Sequence, residues 1–141
     1  MILLDVNVVL AAYRGDHAHH TVAKGWLDKL LDSPESFGVP DLVWVGFLRL
    51  VTNSHVFDVP STPAEAFEFI EAVCSAPTYV SIPGLGSGFE KLKQLVLASD
   101  AWGNLIPDAY LAAVALSYAS KIATFDRDFR RFDAVSVITP N

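Results

Sequence analysis

Apolar residues occur along this chain in two kinds of segment, which alternate from one end to the other. Short apolar runs, such as residues 1–4, are typical of strands buried on both faces of a parallel sheet. Longer segments repeat apolar residues every three or four positions, which is the period of a helix with one buried face. The alternation predicts an α/β fold, in which a mainly parallel sheet carries helices on both faces.

The same pattern sets the expected number of elements. Strands are predicted at residues 1–4, 36–39, 78–82, 121–125 and 135–138, which gives a sheet of about five strands. Helices are predicted at residues 6–13, 21–31, 42–51, 63–74, 89–98 and 106–118. A length of 141 residues fits one domain, residues 1–141, and leaves little room for a second.

The helix predicted at residues 106–118 differs from the others because it is apolar on all sides. A helix of that kind is buried, and Pro107 is expected where its first residue would be. Asp108 is its only charge, and it shares a helix face with Leu111 and Ala112. We therefore expect the Asp108 carboxylate to face the interior or a cleft rather than bulk water.

Other acids follow the predicted strands. Asp5 comes directly after the first strand, and Asp126 and Asp128 come after the fourth. Ligands of open α/β sheets bind beyond the carboxyl ends of the parallel strands, so adjacent strands would bring these acids to Asp108. Carboxylates are the ligands that hard cations such as Mg²⁺ prefer, and without a cation their repulsion should raise at least one pKa. The alternative is that each acid only caps a helix.

Composition narrows the class of protein. Hydrophobic residues make up 52% of the chain and charged residues 18%, which suits a large core and argues against disorder. The formal net charge of −6 is unlike that of a protein that binds nucleic acid by electrostatics alone. No apolar run is long enough to span a membrane, and no signal peptide is recognisable. The single cysteine, Cys74, excludes an internal disulfide, so we expect a cytoplasmic protein without membrane association.

Four segments of the chain resemble PIN-domain proteins, and within that group the VapC-type toxins of bacterial or archaeal toxin–antitoxin pairs. They are residues 3–8 (LLDVNV), 47–53 (FLRLVTN), 106–115 (IPDAYLAAVA) and 123–129 (ATFDRDF). These segments lie in the family's order and extend over the whole chain. The resemblance implies a three-layer α/β/α sandwich around the mainly parallel sheet.

The resemblance also implies an activity, a cofactor and partners. The implied activity is that of a Mg²⁺- or Mn²⁺-dependent endoribonuclease, which hydrolyses RNA phosphodiester bonds with a metal-activated water. The implied partners are an RNA substrate, a small VapB-like antitoxin and a second copy of the chain in a homodimer.

Individual residues match functional positions of the family. Four acids match its metal-binding positions: Asp5, Asp108, Asp126 and Asp128. The first three match catalytic residues, and the fourth matches a ligand or an acid close to one. Asn7 and Thr124 match polar positions that orient ligands or waters. Arg49 is a candidate for positioning the substrate, because its charge suits an RNA phosphate.

One position departs from the family. Relatives commonly carry a glutamate where this chain has Gly46, so the helix predicted at residues 42–51 supplies no carboxylate there. Asp41 is five residues earlier and cannot take the same place on the helix. The departure puts a second metal in doubt. It leaves open a catalytically weakened PIN-fold protein that binds RNA or an antitoxin.

Further alternatives concern chemistry outside the acids. A phosphatase of the haloacid-dehalogenase type would also carry Asp5 after an apolar strand, but its chemistry needs an aspartate where this chain has Asn7. The histidines of segment 16–20 are either metal ligands or part of a loop that caps the next helix, and their spacing favours the loop. Several residues are either RNA contacts or ordinary core and surface residues: Trp44, Trp102, Phe125, Arg127, Arg130 and Arg131.

Overall fold

The computed structural model describes residues 1–141 and confirms the predicted alternation of strands and helices. The strands are β1 (Ile2–Leu4), β2 (Phe37–Gly38), β3 (Lys121–Ala123) and β4 (Val137–Ile138). The α-helices are α1 (Val6–Tyr13), α2 (His20–Leu31), α3 (Asp41–Val51), α4 (Pro63–Cys74), α5 (Phe89–Ser99) and α6 (Leu105–Ser117). A 3-10 helix follows β3 at Arg127–Arg131.

The sheet is parallel throughout, with the strand order β2-β1-β3-β4. The first strand therefore lies at the centre, between β2 and β3, as its apolar character predicts. Its register with β3 pairs Leu4 with Ala123. The residues that follow these two, Asp5 and Thr124, consequently leave the sheet side by side at its carboxyl edge.

The sheet has four strands, whereas about five were predicted. The segment predicted as a strand at residues 78–82 forms only two isolated bridges to the β2 region, Phe37 with Tyr79 and Pro40 with Ile82. Prolines bound this segment at positions 77 and 83, and proline restricts a segment to the edge of a sheet. The segment therefore covers the edge of β2 without continuing the ladder.

The helices cover the sheet in two packed groups, in agreement with the predicted three-layer sandwich. Helix α1 packs against α2 and α3, and α3 packs against α4. The second group consists of α5 and α6, and α6 also contacts β3. Helix α6 is buried from Leu111 to Ala115, as its apolar sequence predicts, whereas Ile106 and Pro107 at its start are exposed. No helix is both long enough and apolar enough to cross a membrane.

Three helices, α2, α3 and α6, begin one residue earlier than predicted, and two of these starts change the role of a named residue. Helix α6 begins at Leu105 with Asn104 as its N-cap residue, so Pro107 is its third residue rather than its first. Proline is tolerated there because the first N–H groups of a helix have no partner within it. Helix α3 begins at Asp41 itself, and Pro40 occupies the N-cap position.

Gly38 and Gly25 allow a paired test of the packing of β2 against residues 78–82. A Cβ atom at Gly38 would lie 2.8 Å from the Val80 carbonyl oxygen and 2.8 Å from Ile82 Cγ1, whereas one at Gly25 has no neighbour within 4 Å. We expect Gly38→Ala to lower the free energy of unfolding by about 1–3 kcal/mol through overpacking. Gly25→Ala, within α2, should raise it by up to about 1 kcal/mol. Urea denaturation of both variants checks the opposite signs; a neutral Gly38→Ala would show that residues 78–82 are loosely held.

Candidate active site

Asp5 is the centre of a network of polar groups at the carboxyl edge of β1. Its side chain is 5% exposed, and three donors hold it. The backbone N–H of Val6 donates to Oδ1 at 2.7 Å, while Asn7 Nδ2 and Thr124 Oγ1 donate to Oδ2 at 2.7 and 2.6 Å. Asp5 thus caps α1, as the alternative interpretation of this residue predicted, but two of its three bonds come from side chains.

Thr124 connects this network to the next acid. Its hydroxyl oxygen accepts hydrogen bonds from Asn7 Nδ2 at 3.0 Å and from the backbone N–H of Asp126 at 2.9 Å. Asn7 Oδ1 in turn accepts from the N–H of Phe125 at 3.1 Å. The side chains of Asn7 and Thr124 therefore hold both strand ends in one arrangement, and the orientation of the Asp5 carboxylate follows from it.

A cleft beside the network contains the second acid. It has a volume of about 120 Å³, and α1, α3 and α6 each contribute to its lining. Asp5, Gly46, Arg49 and Asp108 lie along it together with apolar residues such as Leu111. The structure therefore brings Asp5 and Asp108 to one cavity, and it places Arg49 there too.

Asp126 and Asp128 do not line the cleft, but they are near enough to act on the charge of Asp108, and we call their position the rim. The Asp126 side chain accepts a hydrogen bond from the backbone N–H of Asp128 at 2.8 Å and so caps the 3-10 helix, while Asp128 is exposed. In the present arrangement no three histidine, cysteine, aspartate or glutamate side chains are close enough together to hold one metal ion. Asp5 and Asp108 in the cleft are thus neighbours of Asp126 and Asp128 at the rim, but the four acids do not surround one metal position.

The acids perturb one another's pKa. Burial raises the pKa of Asp108 to about 7, with the charges of Asp5, Asp126 and Asp128 adding to the effect and Arg131 opposing it. Burial also raises the pKa of Asp5; its hydrogen bonds act in the opposite direction, and the charge of Asp126 reinforces burial. The expectation that repulsion would raise at least one pKa is confirmed, although desolvation is the larger cause in both residues.

These donors suit a hard divalent cation. None of the four acids forms an ion pair with a lysine or arginine, since the ion pairs of this protein involve Glu35, Asp16 and Asp28. Carboxylates crowded at one edge of a sheet with no bound cation carry an uncompensated charge, which Mg²⁺ or Mn²⁺ would neutralise. The chemistry of the donor set therefore fits such an ion.

Gly46, which stands where relatives commonly carry a glutamate, lies at the cleft. It lines the cleft with Asp5 and Asp108. A Cβ atom added there would meet only Val6 Cγ2, at 3.7 Å. The residue is therefore beside the acids, as its place in the sequence predicts, and close packing does not explain the glycine.

Other candidates from the sequence lie elsewhere. Trp44 is buried and packs edge-on against Phe47 in the core, whereas Trp102 is 76% exposed. His17 and His19 lie in the turn before α2, as the loop interpretation predicts, but no side chain caps that helix. His20 is the first residue of α2, and its Nδ1 forms a hydrogen bond with the backbone carbonyl of Ala11. Tyr110 lines the cleft but was not a candidate, because nothing in the sequence distinguishes it from the apolar residues around it.

Comparison with known proteins agrees with this fold. The PIN domain family matches residues 2–135. The crystal structure of VapBC2 from Rickettsia felis bound to a DNA fragment from its promoter shares the fold, with a TM-score of 0.70 at 14% identity and full coverage of both chains.

Two curated relatives from Mycobacterium tuberculosis are considerably more similar in sequence. Ribonuclease VapC31 (strain CDC 1551 / Oshkosh) is 46% identical over 140 residues, and Ribonuclease VapC25 (strain H37Rv) is 45% identical over 140 residues. Each alignment covers 99% of this chain and 99% of the relative. The chain therefore belongs to the PIN-domain family, and within it to the VapC group.

The raised pKa of Asp108 predicts how stability depends on pH in the metal-free protein. The pKa rises from 3.8 in the unfolded chain to about 7 on folding, so the folded state binds this proton more tightly. The stabilisation is complete below about pH 4 and is lost as the pH rises through 7. We expect Asp108→Asn to raise the free energy of unfolding in EDTA more at pH 8 than at pH 5. The difference should be smaller than the free energy that corresponds to the whole pKa shift, because the carboxyl is only half-buried and water screens its charge.

Urea denaturation at the two pH values measures this difference. Asp58→Asn, which removes an exposed acid from the segment between α3 and α4, is the matched control for the change in net charge. An Asp108→Asn effect that is the same at both pH values would contradict the proposed crowding of acids.

Proposed function

We propose that this protein is a divalent-metal-dependent endoribonuclease and that it is the toxin of a VapBC-type toxin–antitoxin pair. Relatives named ribonucleases, aligned over nearly the whole chain, support the reaction class. The observation that carries the proposal is the cleft in which Asp5 and Asp108 lie without a cationic partner while their pKa values are raised. An RNA phosphodiester is the substrate that this class implies.

The roles of the residues follow from their positions. Asp5 and Asp108 would hold the ion from two sides of the cleft, and Asp126 and Asp128 would complete its ligands from the rim. Bound Mg²⁺ or Mn²⁺ supplies Lewis-acid activation of water and neutralises charge on the phosphate. Arg49, at the same cleft, positions a phosphate of the substrate.

Asn7 and Thr124 act through Asp5. Their hydrogen bonds at 2.7 and 2.6 Å end on Oδ2, so they fix the direction in which the other lone pairs of the carboxylate point. Groups that orient a metal ligand in this way commonly contribute about 10–100-fold to metal affinity or activity. These two residues are therefore positioning residues rather than ligands.

The proposal extends to partners and location. We propose that the protein binds a VapB-like antitoxin, forms a homodimer and acts on RNA in the cytoplasm. Support for the antitoxin comes from the VapC relatives and from the shared fold with the toxin in the VapBC2 complex.

A second candidate function is a PIN-fold protein that binds RNA or an antitoxin with little catalysis. Gly46 favours it, because the cleft has no acid on α3. Room for a side chain at Gly46 means that water can take the place of the absent carboxylate. The two functions differ in metal-dependent turnover.

Substitution of a metal-binding acid should distinguish the nuclease from the binding protein. We expect Asp5→Asn and Asp108→Asn to abolish cleavage of single-stranded RNA, and Thr124→Val to lower it by about 10–100-fold. Wild-type protein should gain about 2.7 kcal/mol of stability at a hundredfold excess of Mn²⁺ over its Kd. Gel analysis of labelled RNA and thermal melts in Mn²⁺ and EDTA provide the readouts, with Asp58→Asn as the control. Near-native cleavage by Asp5→Asn, after contaminating nuclease is excluded, would remove that residue from the site.

Restoring the family's acid tests the place of Gly46. Gly46→Glu should stabilise the helix in any buffer, because glutamate is the better helix former by several tenths of a kcal/mol. It should add a ligand only when metal is present, and in EDTA repulsion from Asp5 and Asp108 opposes the helix effect.

We therefore expect a larger rise in Tm for Gly46→Glu in Mn²⁺ than in EDTA. Gly46→Gln, which has a similar shape without the charge, serves as the matched control. Equal rises in both buffers for the glutamate variant would mean that this position does not reach the metal.

A further inference from the structure

Segment 16–20 has a feature that the acid site does not explain. The ring of His19 lies parallel to the ring of Phe125, with centroids 4.6 Å apart and planes 11° apart. Phe125 is half-buried and stands in the chain between Thr124 and Asp126, both members of the polar site. His19 is exposed to solvent. An aromatic pair thus extends from the edge of the acid network to the surface.

Hydrogen bonds of the neighbouring backbone and of His20 hold the pair in place. The backbone N–H of His19 donates to Nδ1 of His17 at 3.0 Å, and the two rings lie 5.8 Å apart. His20, the next residue, is bonded to the carbonyl of Ala11 at 2.9 Å. The N–H of Phe125 bonds Asn7 Oδ1 at 3.1 Å. The position of the His19 ring is therefore tied to the same side chains that orient Asp5.

The neighbouring 3-10 helix supplies positive charge. Arg127, Arg130 and Arg131 are exposed on it, and none of them forms an ion pair. Arg131 is near enough to Asp108 to act on its charge. A protein with a net charge of −6 needs such a local concentration of cations if a polyanion is to approach its acids.

We propose that His19, backed by Phe125, is a stacking platform for a base of single-stranded RNA next to the cleaved phosphodiester. Unpaired bases stack on histidine and phenylalanine rings whatever their sequence, and the exposed arginines of the 3-10 helix, which begins two residues after Phe125, supply positive charge for the phosphates. His19 is a positioning residue, since it acts on the substrate's placement and not on the reacting atoms. The proposal rests on the function proposed above for its choice of ligand, RNA.

The test compares two ligands of equal charge. One is a short, unstructured, fluorescein-labelled RNA of mixed sequence, and the other is an abasic ribose-phosphate chain of the same length. Binding is measured by fluorescence anisotropy in Mn²⁺ in the Asp108→Asn background, where cleavage is expected to be lost. A purely structural role of the stack would change both affinities together, whereas a platform for bases affects only the RNA.

We expect His19→Ala to raise the Kd for RNA by about five- to tenfold, the lower part of the range for base–aromatic stacking, and to leave the abasic chain unaffected. His19→Phe keeps a flat ring and should bind RNA nearly as the parent does. His55→Ala removes an exposed histidine from the segment between α3 and α4 and should change neither affinity. An equal effect of His19→Ala on both ligands, no effect on either, or a His19→Phe as weak as His19→Ala would overturn the platform.

RNA cleavage by the wild-type protein is scored separately. Cleavage without a base-dependent loss in His19→Ala would overturn the platform and leave the nuclease standing. A base-dependent loss without wild-type cleavage would support the platform and remove the nuclease.

Discussion

The parallel pairing of β1 with β3 is the contact on which the site depends. It joins segments 119 residues apart and ends with Asp5 and Thr124 side by side, so that Thr124 Oγ1 donates to Asp5 Oδ2 at 2.6 Å. A shift of one residue in this register would turn the side chain of Thr124 to the other face of the sheet. Leu3 and Ile122 are fully buried in this register, and their packing against the helices on either face holds the two strands in it. Packing of the core thereby fixes the geometry of a polar site.

The acids impose a cost on the fold that carries them. Asp108 lies in an otherwise apolar helix, and Asp5 is almost fully buried, so both carboxylates are desolvated and repel their neighbours. A structure selected for stability alone has no reason to retain this arrangement, and perturbed groups that share a cleft indicate function. The same repulsion explains why a bound cation would stabilise the protein. Each carboxylate that repels its neighbours in the metal-free protein would be attracted to the cation.

Gly46 and the His19–Phe125 pair are two features near the acids that the sheet itself does not supply. At Gly46 one wall of the cleft has no side chain, and an added Cβ atom would meet only Val6 Cγ2, at 3.7 Å. The aromatic pair joins the turn before α2 to the segment after β3, where Phe125 stands between Thr124 and Asp126. Neither feature belongs to the fully buried core.

The sequence by itself determined most of the fold. The periods of its apolar residues located all six helices to within one residue at either end, because helix periodicity is a local property. They also located the strands, but not whether residues 78–82 would pair continuously, since pairing depends on a partner elsewhere in the chain. The acids were found as strand-end and helix-start residues, and the family resemblance assigned their roles.

Tertiary structure alone decided how those acids are distributed. Asp5 and Asp108 share a cleft while Asp126 and Asp128 lie at its rim, a division that depends on the packing of α6 against β3. Only the fold could show that Tyr110 lines the cleft and that His19 lies on Phe125, 106 positions away by the difference of their residue numbers. Spacing along a chain predicts which residues share a helix face. It carries no information about which ring will meet another when two distant segments fold together.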